Sequence, residues 1–308
     1  MKGRRGRRAR AAVGAVAALG LVVVISGWAR PGLAAPIQRY VALGDSYTAG
    51  PLIPQQQPNP LGCLRSDHDY PSYVAADLSV TSFRDASCSG ASTADMTAAQ
   101  NVNPGPNPPQ LDRLDAQTQV VTVQIGGNDI GFEEVATTCA TGNPTGTPCR
   151  DHYVVNGDDT ISDRVSATAP KVASVLQGIH TRAPNALVLV VSYLAILPET
   201  GPGCWPRVPY AYEDVPYLRA KEHQLNAMLA QQAAANDAHY VDVYTASIGH
   251  DACDPPCLRW VEPASPGVPA APLHPNVRGM EATADLILGL PSPPNPPCPV
   301  LAAPRFAG

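Results

Sequence analysis

Residues 40–50 read YVALGDSYTAG, an apolar run that ends abruptly in a polar turn. The run at 39–43 predicts a buried strand, and the segment after it is rich in Gly and Pro. Ligands of open α/β sheets bind at the carboxyl ends of the strands. Ser46 therefore stands where a nucleophilic serine is expected. The alternative is a serine that only caps a helix or a turn, and this stretch alone leaves both interpretations open.

The rest of the chain alternates between strand and helix patterns. Further strands are predicted at 80–86, 120–125, 186–191 and 240–243, and helices at 71–78, 161–182, 216–236 and 275–288. Such alternation predicts a three-layer α/β/α fold, with a parallel five-stranded sheet between two helical layers. Right-handed crossovers favour the flavodoxin-like order 2-1-3-4-5. In that order the first and third strands are neighbours, so Ser46 and Asn128 are expected to meet.

The amino terminus has the three-part pattern of a secretory signal peptide. A basic stretch at 2–10 precedes an apolar stretch at 11–28, and Gly32-Leu33-Ala34 forms a small-residue cleavage site. We expect cleavage after Ala34. An uncleaved membrane anchor is the alternative, because the apolar stretch is nearly long enough to span a bilayer. The remaining residues, 35–308, fit a single hydrolase domain with a Pro-rich C-terminal tail.

Removal of residues 1–34 changes the charge balance. That segment carries seven Lys and Arg residues and no acid, so the rest has 14 basic and 26 acidic residues and a net charge of −12. A chain so acidic is not expected to bind nucleic acid.

Eight cysteines in an exported chain predict disulfides, although eight allow 105 pairings. Cys139 and Cys149 bracket a loop of Gly, Pro and Thr within an insertion at about 137–156, and they are expected to pair locally. Cys63–Cys88 would join the loops after two neighbouring strands. Of the remaining four we favour Cys204–Cys253 and Cys257–Cys298, the latter fixing the tail. Zinc is the alternative, but no CxxC pair is present.

A nucleophilic serine needs a base close to it. Among seven histidines, His274 stands out because it lies in a loop directly before the last predicted helix. Pro275 suits the first position of that helix. The alternative is an ordinary surface histidine.

The oxyanion of an acyl-transfer intermediate needs two or three preplaced donors. The candidates are the backbone N–H groups of Ser46 and Gly90 and the side-chain amide of Asn128. Alternatively, Gly90 is only a turn glycine and Asn128 only closes an Asx-turn. The acids Asp45 and Asp129 are expected to brace the turns.

Four motifs occur in a fixed order: GDSYTAG at 44–50, Gly90 in a Ser-Gly-Ala turn, GGND at 126–129 and HPN at 274–276. This order resembles the SGNH (GDSL-type) hydrolases, especially the secreted, disulfide-bonded bacterial esterases and lipases. The resemblance covers about residues 38–290. It implies that Ser46 is the nucleophile and His274 the general base and then acid. It also implies an oxyanion hole made by Ser46, Gly90 and Asn128.

One position departs from the family pattern. Many members carry Asp three residues before the histidine, where this chain has Ala271. The resemblance therefore implies a Ser-His dyad in which a backbone carbonyl orients the imidazole, and Ala271 is our candidate. Asp251, Asp254 or Glu262 remain alternatives, since an acid orients the tautomer more strongly than a carbonyl.

These observations predict a secreted carboxylic-ester hydrolase, a monomer that acts on acyl lipids or small esters through an acyl-enzyme. No cofactor and no metal is expected. One alternative is a carbohydrate O-deacetylase with the same site. Another is a non-catalytic surface-binding module that has kept the fold.

Overall fold

One parallel sheet lies at the centre of the fold. The computed structural model of the chain describes residues 36–291 and Cys298. Its main strands are β1 (Arg39–Gly44), β2 (Ser82–Asp85), β3 (Val120–Gln124), β4 (Leu187–Val191) and β5 (His239–Val241). All pairs are parallel, in the order β2-β1-β3-β4-β5. The predicted flavodoxin-like sheet is therefore confirmed. The predicted signal peptide and most of the tail lie outside the described residues.

Eight α-helices accompany the sheet within the described part of the chain. They are α1 (Ser46–Ala49), α2 (Tyr70–Asp77), α3 (Phe132–Thr138), α4 (Pro148–Tyr153), α5 (Thr160–Arg182), α6 (Val215–Ala235), α7 (Val243–Ala246) and α8 (Val277–Leu288). Short 3-10 helices lie at Leu61–Cys63, Thr93–Met96 and Gln110–Arg113, and Val154–Val155 pairs with Asp158–Asp159 in a small antiparallel ribbon.

Both faces of the sheet are covered, which explains why β1 is apolar throughout. Tyr40 and Ala42 pack in the core layer that contains residues of α2 and α8. Val41 and Leu43 point to the opposite face and pack with α5 and α6. Alternate side chains of one strand thus enter two cores, as expected for a buried parallel strand.

Two differences from the sequence prediction have a clear physical cause. The predicted fifth strand ended at residue 243, but β5 ends at Val241 because the Asp242 side chain caps α7, accepting the Thr245 N–H at 3.0 Å. The predicted insertion also contains a helix, α4. The buried carboxylate of Asp214 accepts the N–H groups of Cys149 and Arg150, each at 2.9 Å, and so holds the start of α4 from a distant segment.

Four disulfides are present, and they join the pairs that the sequence predicts. The bonds are Cys63–Cys88, Cys139–Cys149, Cys204–Cys253 and Cys257–Cys298. All eight thiols are therefore used in covalent pairs. Within the described ranges, no helix has both the length and the apolar character needed to cross a bilayer.

Candidate active site

Ser46 and His274 meet at the carboxyl end of the sheet. The distance from Ser46 Oγ to His274 Nε2 is 2.8 Å, although the two residues are 228 positions apart. The other ring nitrogen, Nδ1, lies 2.7 Å from the carbonyl oxygen of Pro272. A carbonyl accepts but cannot donate, so Nδ1 carries a proton and Nε2 of the neutral ring faces the serine hydroxyl as an acceptor.

Asp45 leaves the Ser46 hydroxyl free for this contact. It is the N-cap residue of α1, and its Oδ1 accepts the N–H of Tyr47 at 2.9 Å. The cap that a serine side chain often provides is therefore supplied by the preceding residue. The interpretation of Ser46 as only a capping residue is wrong.

The loop that carries His274 is fixed on several sides. Leu273 is buried and has a φ of 59°, a left-handed conformation that is costly for a leucine. Its carbonyl accepts the Tyr47 hydroxyl at 2.6 Å, and its N–H donates to the carbonyl of Glu262 at 3.0 Å. The rings of Tyr47 and Phe132 lie 5.0 and 5.7 Å from the imidazole. These contacts hold the imidazole against Ser46.

Burial lowers the pKa of His274 below its usual 6.5, and the hydrogen bond to Pro272 opposes this shift only in part. The imidazolium form loses water contacts that this apolar setting does not replace. The ring is therefore neutral, and able to take a proton, at neutral and mildly acidic pH.

The prediction that the Ala271 carbonyl orients His274 is wrong, since Pro272 supplies the acceptor. The Ala271 carbonyl instead accepts the backbone N–H of His274 at 3.2 Å, which closes the turn. Among the predicted acids, the carboxylate of Glu262 is buried and bound to Arg259 Nη2 and Asn276 Nδ2, each at 2.8 Å.

The other two predicted acids, Asp251 and Asp254, accept hydrogen bonds from backbone N–H groups of their own loop. Asp251 Oδ1 accepts the N–H of Cys253 at 2.8 Å, and Asp254 Oδ2 accepts the N–H of Asp251 at 3.0 Å. Neither carboxylate has a hydrogen bond to His274 in the described structure.

Gly90 and Asn128 line the same cleft as Ser46 and His274. Gly90 has a φ of 78°, a conformation that favours glycine. In the described part of the chain, no acceptor takes a hydrogen bond from the backbone N–H of Ser46 or of Gly90. The Asn128 amide donates to the Ala91 carbonyl at 2.8 Å, and its second hydrogen is unused. The Asn128 amide therefore binds the turn that contains Gly90 and does not close an Asx-turn within its own loop.

A tyrosine that the sequence argument did not include joins the loops after β1 and β3. The buried hydroxyl of Tyr193 donates to Asp45 Oδ2 and accepts the N–H of Gly127 at 2.9 Å. Burial raises the pKa of Asp45 to about 7, although its bonds to Tyr193 and to Tyr47 N–H act in the opposite direction. Tyr193 is the second residue after β4, and a polar side chain at that edge of the sheet was the signal available in the sequence.

The second predicted bracing acid also contacts a neighbouring turn. Asp129 Oδ2 accepts the backbone N–H of Thr93 at 2.9 Å, and its Oδ1 accepts the Thr93 hydroxyl at 2.5 Å. Asp45 and Asp129 therefore brace turns, as the sequence argument expected.

The cleft around these groups has a volume of about 550 Å³ and mostly apolar walls. Leu64, Phe132, Pro209 and Tyr210 contribute to it. No three His, Cys, Asp or Glu side chains are grouped to hold a metal ion in the portion that the structure describes. The cleft is lined by the residues that carry a hydroxyl, a neutral imidazole and three N–H donors. Acyl transfer by a serine requires groups of these kinds.

Comparison with known proteins agrees with this chemistry. Residues 42–282 match the GDSL-like lipase/acylhydrolase family. The chain belongs to this family. A lipase of Streptomyces coelicolor, Lipase 2, is 41% identical over 274 residues, which cover 87% of this chain and 90% of that protein.

Two solved structures of the same kind have a similar fold. Phospholipase A1 from Streptomyces albidoflavus has a TM-score of 0.69 and 26% identity, covering 83% of this chain and all of that one. An extracellular lipase from Streptomyces rimosus has a TM-score of 0.69 and 27% identity, covering 82% and 100%. This GDSL-family chain is therefore an enzyme of the lipase and esterase class.

Proposed function

We propose that this GDSL-family enzyme hydrolyses carboxylic esters with a Ser46–His274 dyad and with oxyanion donors from Ser46, Gly90 and Asn128. The observation that carries the proposal is the 2.8 Å contact from Ser46 Oγ to His274 Nε2. Gly90 and Asn128 line the cleft into which this pair opens. No cofactor enters the reaction.

In the first half of the reaction, Ser46 Oγ attacks the ester carbonyl carbon while its proton passes to His274 Nε2. The oxyanion that forms accepts hydrogen bonds from the N–H groups of Ser46 and Gly90 and from the Asn128 amide. When the tetrahedral intermediate collapses, the C–O bond to the alcohol breaks. The departing alcohol takes the proton from His274, and an acyl-Ser46 ester remains.

In the second half, His274 takes a proton from water, and the resulting hydroxide attacks the acyl-Ser46 carbonyl. Collapse returns the proton to Ser46 Oγ and releases the carboxylic acid. Throughout the cycle the carbonyl of Pro272 accepts the Nδ1–H of His274, which keeps Nε2 directed at the reacting oxygen. A carboxylate usually does this work, so the carbonyl supplies orientation with less stabilisation of the imidazolium.

The enzyme is proposed to act outside the cell as a monomer, after cleavage following Ala34, with residues 35–308 forming one hydrolase domain. Four disulfides support export, because they persist in oxidising compartments. The similar protein from Streptomyces rimosus is described as extracellular. Amino-terminal sequencing of protein from the culture medium tests the cleavage, and an intact residue 1 there contradicts it.

The substrates are proposed to be acyl esters, because the cleft is mostly apolar and the relatives are lipases and a phospholipase. The test compares nitrophenyl esters of increasing acyl length with acetylated xylan. We expect hydrolysis of the nitrophenyl esters and little release of acetate from the glycan. Preferential release of acetate would make the enzyme a carbohydrate O-deacetylase, and no turnover of either would make it a binding module.

A further inference from the structure

The turn that carries Gly90 is attached at several points to the loop before α2. The Cys63–Cys88 disulfide joins the two segments, and the carbonyl of the first cysteine accepts the Ser89 N–H at 3.0 Å. From the same loop, Arg65 Nη1 donates to the Ser87 carbonyl at 2.6 Å. Arg65 has no part in the proposed acyl transfer itself, so its place behind this turn needs a separate reason.

Arg65 is a buried cation, with only 3% of its surface exposed. Its second guanidinium nitrogen, Nη2, donates to the Asn59 carbonyl. Burial lowers the pKa of Arg65 and Arg113 adds to the shift, while the nearby carboxyl groups of Asp85 and Asp69 oppose it. An arginine in a protein nevertheless keeps its proton, so these acids must balance a permanent charge.

The two acids near this guanidinium contact each other. Asp69 is the N-cap residue of α2, and its Oδ1 accepts the Ser72 N–H at 2.8 Å. Asp85 ends β2, and its Oδ1 accepts the Ser87 N–H at 2.8 Å. The second oxygen of each, Oδ2, is buried and accepts no hydrogen bond from an N–H or hydroxyl group of the described residues. The two carboxyl groups are instead bonded to each other.

A bond between two carboxyl groups requires a proton on one of them. Burial raises the pKa of Asp69 well above its ordinary value, and Asp85 raises it further. Burial also raises the pKa of Asp85, but the charge of Arg65 and the bond from Asp69 oppose that shift. The proton therefore resides on Asp69, and Asp85 is the carboxylate that balances Arg65.

The other titratable groups packed against the two acids are three tyrosines, Tyr40 of β1 and Tyr70 and Tyr73 of α2. Burial raises the pKa of each above 10, so they are uncharged at neutral pH. One guanidinium and one shared proton between two carboxyl groups thus leave the buried cluster without net charge.

We propose that Arg65, Asp69 and Asp85 form a positioning unit that directs the Gly90 N–H into the oxyanion hole. Asp69 donates its proton to Asp85, Asp85 accepts the Ser87 N–H, and Arg65 holds the Ser87 carbonyl. Both backbone groups of Ser87 are thereby fixed three residues before Gly90. This proposal rests on the proposed function and adds to it positioning residues that lie behind the site.

The first test removes the guanidinium with Arg65→Met. The readout is the ratio of kcat/KM for a butyryl ester to that for its thiono analogue, in which sulfur replaces the carbonyl oxygen. Sulfur accepts hydrogen bonds weakly, so the ratio reports on the oxyanion hole. We expect it to fall at least about tenfold, with kcat changing more than KM, because a displacement of about 1 Å can remove that much of a group's effect.

Arg84→Met is the matched control, because Arg84 is exposed and bonds only to Asp115 and the Arg113 carbonyl. Its ratio is expected to equal that of wild type. Arg65→Lys keeps the charge and a donor, so it should recover part of the ratio. A loss of activity in Arg65→Met with an unchanged ratio would mean that Arg65 only stabilises the fold, and would overturn the proposal.

Two acid variants test the unit if Arg65→Met does not fold. In Asp69→Asn, an amide N–H takes the place of the shared proton. In Asp85→Asn, the charge that balances Arg65 is lost. We expect the ester-to-thionoester ratio of Asp85→Asn to be lower than that of Asp69→Asn by at least about tenfold. Equal ratios in the two variants would overturn the proposal.

The shared proton can be measured without any activity. The infrared spectrum of Asp69→Asn is subtracted from that of wild type at neutral pH. The difference is expected to contain the C=O stretch of a protonated carboxyl group, while the contributions of Asp45 and Glu222, whose pKa values burial also raises, cancel. A difference spectrum with carboxylate bands alone would contradict the assignment of the proton to Asp69.

These outcomes separate the two proposals. A wild-type enzyme that hydrolyses the ester, with the same ester-to-thionoester ratio in Arg65→Met, contradicts only the positioning unit. A wild-type enzyme that does not hydrolyse the ester contradicts the proposed function, and the positioning unit with it.

Discussion

At the scale of single residues, Asp45 bears on the nucleophilic role that we propose for Ser46. Asp45 caps α1 and so releases the serine hydroxyl for His274. The motif residues Ser46, Gly90, Asn128 and His274 could be predicted from the sequence. Acyl transfer requires a nucleophile, a base and oxyanion donors, and these residue types can supply them. The role of the Pro272 carbonyl as the acceptor for His274 could not be predicted. Every residue has a carbonyl, and only the conformation of the turn decides which one faces the imidazole.

The fall of kcat/KM on the acid side of its pH profile is expected to report the pKa of His274. Because burial lowers the pKa of this imidazole below 6.5, its neutral form persists to lower pH than in water. We expect kcat/KM to remain high as the pH falls through 6.5 and to decline only below it. The measurement is kcat/KM for a butyryl ester between about pH 4 and pH 8. An acid limb with a midpoint above 6.5 would contradict this account of the site.

Replacement of Asn128 tests the oxyanion hole. Asn128→Ala removes one donor to the developing charge, so kcat is expected to fall by about 10²–10³-fold, more than KM rises. Steady-state kinetics with a butyryl ester give both constants. The control is Asn143→Ala, because Asn143 is exposed and closes only a local turn with Thr145. If kcat for Asn128→Ala stays within a factor of about three of wild type, the amide is not an oxyanion donor.

At the scale of elements, the loops after β1, β2, β3 and β4 are joined by hydrogen bonds that no local sequence pattern predicts. Tyr193 connects Asp45 with Gly127, and Asn128 connects with Ala91. The strand patterns predicted that the loops after β1 and β3 meet. The partners within them depend on side-chain directions that only the assembled sheet fixes.

Glu222 on α6 makes the stability of the fold depend on pH. Its pKa is about 8 in the folded protein against an ordinary value of 4.5. Burial is the main cause; repulsion from Asp251 and Glu199 adds to it, and Arg219 opposes it. The folded chain therefore keeps a proton that the unfolded chain loses, and stability falls as the pH rises from about 4.5 to 8.

We accordingly expect Glu222→Gln to be more stable than wild type at about pH 9, by an amount on the order of 2–4 kcal/mol, and similar to it at about pH 4.5. Denaturant unfolding at both pH values, with the disulfides intact, measures the difference. Glu213→Gln is the control, because Glu213 is exposed on the segment just before the same helix. Equal stability of Glu222→Gln and wild type at the higher pH would mean that Glu222 ionises as it does in water.

At the scale of the whole molecule, four disulfides hold loops together around the sheet. The Cys63–Cys88 bond could be predicted from topology, because β1 and β2 are neighbours and their following loops must lie close together. Helix α4 could not be predicted, because its start depends on Asp214 from a segment more than sixty residues away. Long-range contacts of this kind leave no periodic pattern near the helix itself.

The disulfides should differ in what they contribute. Cys204–Cys253 spans 49 residues and Cys139–Cys149 spans 10. Chain entropy then gives a stabilisation of about 4 kcal/mol for the longer loop and about 3 kcal/mol for the shorter one. We expect the double serine variant at 204 and 253 to unfold at lower denaturant concentration than the one at 139 and 149. The reverse order would mean that native contacts, not chain entropy, set the contribution.

The central claim is that Ser46 carries the acyl group, and covalent labelling tests it most directly. Wild-type enzyme and Ser46→Ala are treated with a fluorophosphonate, digested and analysed by mass spectrometry, and their ester hydrolysis is measured in parallel. The account predicts an adduct on the Ser46 peptide of the wild type, no adduct in the variant, and loss of hydrolysis with the hydroxyl. Full hydrolysis by Ser46→Ala, or an adduct on another residue, would contradict it.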